Sequence, residues 1–244
     1  MQSFIDKIKK FLKKQQFNSW ILWFFLNPFY FIRRAIFLNI KEVSENITWN
    51  VLDVWCGSKP YEKIFEKVDK YIGIDLEGSW HNHSWEEDKV FYDWKNIPFE
   101  DGSFDSVVSF EVLEHVFSPD DFIVETSRVL RKGWIILLTV PFIWDEHEVP
   151  YDYGRYTSFG LKYIFEKHGF VVLIQRKILT DLSFFFQLLN TYFYKILIKS
   201  LPKFIAFPLI MFFAIISNVF WLISKIFPKN KDFYYGNLIL AQKK

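Results

Sequence analysis

Two short stretches hold the residues best suited to chemistry. Asn50-Val51-Leu52-Asp53-Val54-Trp55-Cys56-Gly57-Ser58-Lys59-Pro60 is an apolar run that ends in an acid and a tight turn, and Tyr71-Ile72-Gly73-Ile74-Asp75 is a second run ending in an acid. The acids lie 22 residues apart, about one strand–helix–strand unit. In an open α/β sheet such a pair builds a nucleoside pocket: the turn lets backbone approach the ligand, and an acid one strand later takes the ribose hydroxyls. Two imidazoles, His115 and His147, each follow a further apolar run, and either can move a proton near neutrality. His81-Asn82-His83 has metal-ligand residue types, with Glu86, Glu87 and Asp88 nearby. No distant ligand group completes that set, so no metal is expected there.

Alternating strands and helices must position these residues. Apolar runs predict strands near 50–54, 71–75, 89–92, 105–110, 134–140 and 170–178, with helices near 60–69, 119–131 and 158–168. Pro119-Asp120-Asp121 is a helix start with acids in its first turn. Ser158 is a candidate N-cap and Gly169 a candidate stop. The alternation is that of a doubly wound sheet.

The flanks have a different composition. Residues 3–16 read as an amphipathic helix, with Phe4, Ile5, Ile8, Phe11 and Leu12 on one face and lysines on the other. An aromatic run at 19–26 follows, broken by Asn27-Pro28, and 29–45 again reads as helix. A basic amphipathic helix beside an aromatic run suits a membrane surface; a plain helical cap on the domain is the alternative. The apolar run is too short, and lacks a small-residue cleavage site, for a secretory signal. Phe204 to Ser224 carries no charge over 21 residues, long enough to span a bilayer core. Residues 182–198 are nearly as apolar. Tyr234 to Ala241 then reads as one more strand. If that strand joins the sheet, the chain leaves and returns on one side, which excludes a single crossing. A hairpin, two helices lying in the interface, or two helices packed on the domain as in a soluble protein, remain.

Bulk numbers set outer limits. The 244 residues suffice for one well-buried domain and an appendage. A formal net charge of +2 creates no field that calls for nucleic acid, and the single cysteine, Cys56, excludes an internal disulfide.

From residue 47 to 180, and again in the last strand, the chain resembles the class I S-adenosylmethionine-dependent methyltransferases. The motifs that carry the resemblance are the turn Asp53–Lys59, the acids Asp75 and Asp93, the segment Ile97-Pro98-Phe99-Glu100-Asp101-Gly102-Ser103-Phe104-Asp105, the segment Ser109-Phe110-Glu111-Val112-Leu113-Glu114-His115-Val116, and Arg128-Val129-Leu130-Arg131-Lys132-Gly133, in that order. Residues 141–148 and 152–157 resemble a narrower branch that modifies small molecules, surface polysaccharides and lipids. The resemblance implies a Rossmann-like seven-stranded α/β sheet of order 3-2-1-4-5-7-6, with an N-terminal helical segment and an apolar helical insertion before the last strand. The expected organisation is 1–46 as basic N-terminal helices, 47–180 as cofactor-binding core, 181–230 as insertion and 231–244 as final strand.

The implied cofactor is S-adenosyl-L-methionine, held by Asp53, Trp55, Cys56, Gly57, Asp75, Leu76, Asp93, Trp94, Phe110 and Glu111. His147 and His115 are the candidate catalytic bases, and Asp152, Arg155 and Tyr156 the candidate acceptor-binding residues, with Arg155 equally suited to a structural ion pair. The expected reaction is methyl transfer, most simply O-methylation, to a small-molecule, glycan or lipid-linked acceptor at the cytoplasmic face of a membrane. The alternative is a catalytically silent adaptor of the same fold. Nicotinamide chemistry is disfavoured by the segment after the fourth strand, and nucleic acid by basic residues that sit beside apolar runs.

One departure stands out. Trp (10) outnumbers Gly (9), where a chain this long ordinarily holds roughly 17 glycines. Trp55 and Trp134 occupy positions where the family has glycine, and Trp49, Trp80 and Trp94 sit at turn-like positions. Either the cofactor site is impaired, or a UGA codon that its host reads as glycine stands here as tryptophan.

Overall fold

The computed structural model describes Phe24 and residues 27–76, 90–93, 95–224 and 226–244. The expected helix at 3–16, nearly all of the 19–26 run, the His81–His83 loop, Trp80 and Trp94 lie outside the described residues.

Seven strands form one sheet: β1 (Trp49–Val54), β2 (Val68–Leu76), β3 (Val90–Tyr92), β4 (Phe104–Phe110), β5 (Leu130–Pro141), β6 (Phe170–Ile178) and β7 (Gly236–Lys243). Their order is β3-β2-β1-β4-β5-β7-β6, as the resemblance implies. β1 pairs in parallel with β2 and β4, and β5 in parallel with β4, whereas β7 runs antiparallel to β5. Strand interiors such as Val51, Leu52, Val107, Val108, Ile136 and Leu137 are fully buried. This continuous apolar pattern belongs to strands covered on both faces. Helices α1 (Tyr30–Val43), α2 (Pro119–Val129), α3 (Ser158–Lys167), α4 (Ser183–Ser200) and α5 (Lys203–Ser224) complete the regular structure.

Two local expectations need correction. The helix expected at 60–69 is a single 3-10 turn, Glu62–Ile64, because β2 already begins at Val68. The preceding turn also consumes residues through Lys59, whose φ is +50°. Too few residues remain for an α-helix, whose first turn alone fixes several dihedrals for one hydrogen bond. The cap of α3 is Thr157 rather than Ser158: its hydroxyl accepts the Gly160 N–H at 3.1 Å.

The chain divides into two compact units, residues 39–177 with 236–244 and residues 1–38 with 178–235. The first holds the sheet with α2 and α3. Within it, a buried cluster centred on Leu52, Ile74, Val107, Ile123, Leu138 and Phe165 locks helices to strands. Thr126 returns its hydroxyl to the Phe122 carbonyl at 2.8 Å, so a polar side chain enters α2's buried face without an unmet hydrogen bond.

In the other unit α4 and α5 pair as a hairpin. Phe193 stacks on Phe213 with centroids 4.2 Å apart, and Phe186 on Phe220 at 6.2 Å. Ala206, Ile210 and Ala214 recur at four-residue spacing and are buried, as the inner stripe of a helix should be. The other faces are apolar yet exposed: Phe204, Phe207, Phe212 and Val219 on α5, and Phe185, Leu189 and Tyr192 on α4.

Candidate active site

Every parallel strand delivers its functional residues to the carboxyl edge of the sheet. β1 ends with Asp53, whose carboxylate is buried and accepts the Tyr71 hydroxyl at 2.6 Å. Burial pushes its pKa up to about 7, against the opposing pull of that hydrogen bond. The turn that follows is tight, with Trp55 at φ +60°, Gly57 at +50° and Lys59 at +50°. It is seated on β2 by the Cys56 N–H donating to the Ile74 carbonyl at 3.1 Å. Gly73 makes that seat possible, since a Cβ there would lie 2.4 Å from the Cys56 sulfur.

β2 ends with Asp75 and Leu76. Asp75 is buried, and one of its oxygens accepts the Leu76 N–H at 2.9 Å. Asp93, after β3, is solvent-facing and accepts the Lys95 and Asn96 N–H groups, which hold its carboxyl below the usual range. Its carboxylate thus ties down the backbone at Lys95 and Asn96. β4 ends with Phe110, whose ring meets Tyr61 edge-on at 4.9 Å, and with Glu111 at φ +56°.

Beyond Glu111 a 3-10 turn, Leu113–His115, carries Glu114 and His115 inward, both buried. The loop after β5 closes on this turn. Tyr153 and Gly154 donate their N–H groups to the Glu114 carbonyl at 2.7 and 3.1 Å, and the Tyr151 carbonyl lies 2.8 Å from His115 Nδ1. His147 comes in from that loop, its ring centroid 4.7 Å from that of His115. On the other side His115 stacks on Trp55, with centroids 6.2 Å apart. Burial lowers the His115 pKa, and burial together with the Glu111 charge raises that of Glu114.

The acceptor-side residues form a braced corner. Asp152 takes the His147 N–H at 3.0 Å and binds the Arg155 guanidinium through both oxygens. Burial would raise the Asp152 pKa, but Arg155 and the His147 N–H outweigh it and hold it at about 2. The Arg155 guanidinium makes the ion pair and also reaches the Asp145 carbonyl at 3.0 Å. Tyr156 lies on the loop's return to α3, its carbonyl accepting the Asn237 amide at 2.8 Å, and burial lifts its phenol to about 12.

Two residues of this constellation were not singled out from sequence. Tyr71 looks like an ordinary strand aromatic until register places its hydroxyl beneath Asp53. Glu114 is inconspicuous within its motif, although an acid directly before a histidine at the end of an apolar run is a usable signal.

The donor set fits an adenosine-bearing cation. Asp75, buried at the carboxyl end of β2, would take the ribose hydroxyls, and Asp53 beside the turn would suit positive charge when ionised. The ring of Trp55 is the one part that fits poorly.

Comparisons agree with this geometry. A methyltransferase-domain family model matches residues 52–138. A relative in Mycolicibacterium smegmatis, described as a probable S-adenosylmethionine-dependent methyltransferase, is 42% identical over 45 residues, 18% of each chain. The matched segment therefore spans under a fifth of that relative's length. The [4+2]-cyclase SpnF superposes with a TM-score of 0.56 at 16% identity, over 86% of this chain and 82% of its own. The phosphoethanolamine N-methyltransferase 2 of Haemonchus contortus, solved with S-adenosylhomocysteine, gives 0.54 at 15% identity, over 91% of this chain and 56% of its own. At such identities the structural likeness speaks for fold alone. Residues 52–138 thus match a methyltransferase-domain model, and the strand order around them is that of the fold these neighbours share.

Proposed function

We propose that the chain transfers a methyl group from S-adenosylmethionine to a hydroxyl of a small-molecule, glycan or lipid-linked acceptor at the cytoplasmic face of a membrane. The observation that carries the reading is the meeting of His115 and His147 at the carboxyl edge, beside the turn that would hold the cofactor. Bound there, S-adenosylmethionine supplies an electrophilic methyl on a sulfonium. The chain's task is alignment and proton removal. His147 keeps part of its ring exposed and can meet an acceptor, and the Asp152 and Asp145 contacts fix its orientation. As the hydroxyl oxygen takes the methyl, its proton passes to the imidazole cluster.

Membrane attachment is supported by the hairpin. α5 has 22 residues, about 33 Å of helix, and mean hydropathy 2.1 over Lys203–Trp221. Only 28% of that window is buried, unlike a core helix of a soluble protein. Since β7 rejoins the sheet, the segment between β6 and β7 must return to the side it left, which suits a hairpin lodged in one leaflet. Flotation with anionic liposomes is expected to carry the intact chain, and Phe204, Phe207 and Phe212 together changed to Ser should cut the bound fraction at least severalfold. A chain that stays in the soluble fraction would refute the attachment.

The reaction is tested by incubating the chain with methyl-labelled S-adenosylmethionine and a membrane extract. Label is expected in a lipid- or glycan-bearing fraction and should survive mild alkali, as an ether does and an ester does not. A second reading, a silent adaptor of the same fold, is favoured by Trp55 in the cofactor turn at φ +60°. Failure of both the chain and its Trp55→Gly form to bind the cofactor would select it.

A further inference from the structure

The sequence led us to expect no metal. Yet Glu114, His115 and His147 each present one ligand atom, and these atoms all lie within 4.8 Å of one another. His115 Nε2 is 3.7 Å from Glu114 Oε1, and His147 Nε2 is 4.0 Å from the same oxygen. From these positions we infer that the cluster is a site for a first-row divalent cation, held by Glu114 Oε1 and the two Nε2 atoms.

Three independent observations support this. The first concerns tautomers. His115 Nδ1 lies 2.8 Å from the Tyr151 carbonyl, which can only accept, so Nδ1 carries the hydrogen and Nε2 a lone pair. His147 Nδ1 likewise faces the Asp145 carbonyl at 3.2 Å and Asp152 Oδ2 at 3.4 Å. Both rings therefore turn a lone pair toward one carboxylate oxygen. Imidazoles pinned at Nδ1 by a carbonyl or carboxylate and free to ligate through Nε2 are the usual support of a metal site.

The second is the carboxylate itself. Glu114 is fully buried, and among the described residues no other residue donates a hydrogen bond to either of its oxygens. A buried carboxyl without partners is costly, and a cation is one remedy. At 3.7 and 4.0 Å neither imidazole is in hydrogen-bond contact with Glu114 Oε1.

The third is size. Ligand bonds of about 2.1 Å, at tetrahedral to octahedral angles, put neighbouring ligand atoms about 3.0–3.4 Å apart. The two histidine–glutamate separations exceed this by up to about 1 Å and the set as a whole, within 4.8 Å, by up to about 1.8 Å, so the side chains must draw together around an ion. Glu148, 3.8 Å from His115 Nε2, is placed to add a further oxygen. Two nitrogens and carboxylate oxygen suit Mn²⁺, Fe²⁺, Co²⁺ or Zn²⁺ better than Ca²⁺.

Ion binding itself does not depend on the proposed methyl transfer; its role does. At this edge an ion with an open position would bind the acceptor hydroxyl oxygen and lower its pKa. The proton would then leave to Glu148 or solvent as the oxygen takes the methyl, and the imidazoles would hold the ion instead of accepting the proton.

The test uses the full chain, stripped with EDTA and dialysed, titrated with Co²⁺ by visible absorption and with Mn²⁺ by calorimetry. One ion per chain is expected, at micromolar affinity or tighter, with a ligand-field band for Co²⁺. Glu114→Gln and His147→Asn should each weaken binding at least thirtyfold while far-UV dichroism and melting are retained. His147 is partly exposed, so its variant stays informative if the Glu114 variant fails to fold. A His81→Ala, His83→Ala variant should bind unchanged; loss of the ion there would overturn the assignment, as would the absence of saturable binding. Metal binding without S-adenosylmethionine binding, by either the chain or its Trp55→Gly form, would refute the proposed function and leave this site standing.

Discussion

Trp55→Gly is expected to tighten S-adenosylmethionine binding by about 10–100-fold. The turn after β1 must let backbone come close to the ligand, and a ring there stands in the way. The indole is half-buried and stacked against His115. Displacing it forfeits about 1–3 kcal/mol of aromatic contact and burial, which the ligand must supply before it gains anything. At about 1.4 kcal/mol per decade this is one to two orders of magnitude in affinity. The backbone adds a separate effect. A tryptophan at φ +60° costs on the order of 1–3 kcal/mol, so the glycine form should also resist denaturant better. Trp55→Ala separates the two, since it removes the ring but keeps the strained φ: affinity should rise while the stability gain is lost. Calorimetric titration of the three proteins decides, and an unchanged or weaker dissociation constant for Trp55→Gly would overturn the argument. Trp49 shares the left-handed backbone, at φ +58°, where β1's register with β2 shifts, and its side chain is largely exposed. Two tryptophans in conformations suited to glycine support the codon reading. Peptides from the native host are then expected to carry glycine at both positions.

Most of the sheet was legible because each buried strand announces itself. Runs such as Val107-Val108 and Ile135-Ile136-Leu137-Leu138 are too continuous for a surface strand, and acids or turns mark their carboxyl ends. The helix at 60–69 was misread because Tyr61, Ile64 and Phe65 carry a plausible helical stripe, while the early start of β2 at Val68 depends on pairing with β1. The candidate site was legible strand by strand and illegible between strands. Nothing local in Glu114, His147 or Asp152 says that two loops separated by all of α2 and β5 close on one another. Nor does sequence say that Arg155 pairs with Asp152. Those facts rest on backbone hydrogen bonds to the Glu114 carbonyl, which exist only once β4 and β5 lie side by side.

Asp53 should make the ligand-free chain less stable as pH rises, by on the order of 3–4 kcal/mol between pH 4 and 8. Its carboxyl titrates at about 7 in the folded chain and near 3.8 when exposed. The folded state therefore holds the proton more tightly than the unfolded state. Below about pH 4 both states are protonated and Asp53 contributes no difference. As pH climbs through the interval the unfolded state ionises first, and stability falls until the folded carboxyl ionises too, near 7. Other carboxylates act in the opposite sense at lower pH: Asp152, at about 2, loses its stabilising charge only in strong acid. The clean measurement is therefore a difference. Urea unfolding of the chain and of Asp53→Asn, compared across pH 4–8, should show the variant gaining on the parent throughout and levelling off above 7. Asparagine keeps an acceptor for the Tyr71 hydroxyl, so that contact is not the variable. A pH-independent difference would mean that the carboxyl ionises normally, with solvent or a cation reaching it. If the slope is present and S-adenosylmethionine abolishes it, the positive ligand has supplied the counter-charge that the empty turn lacks, and its binding should release no more than a single proton near pH 6.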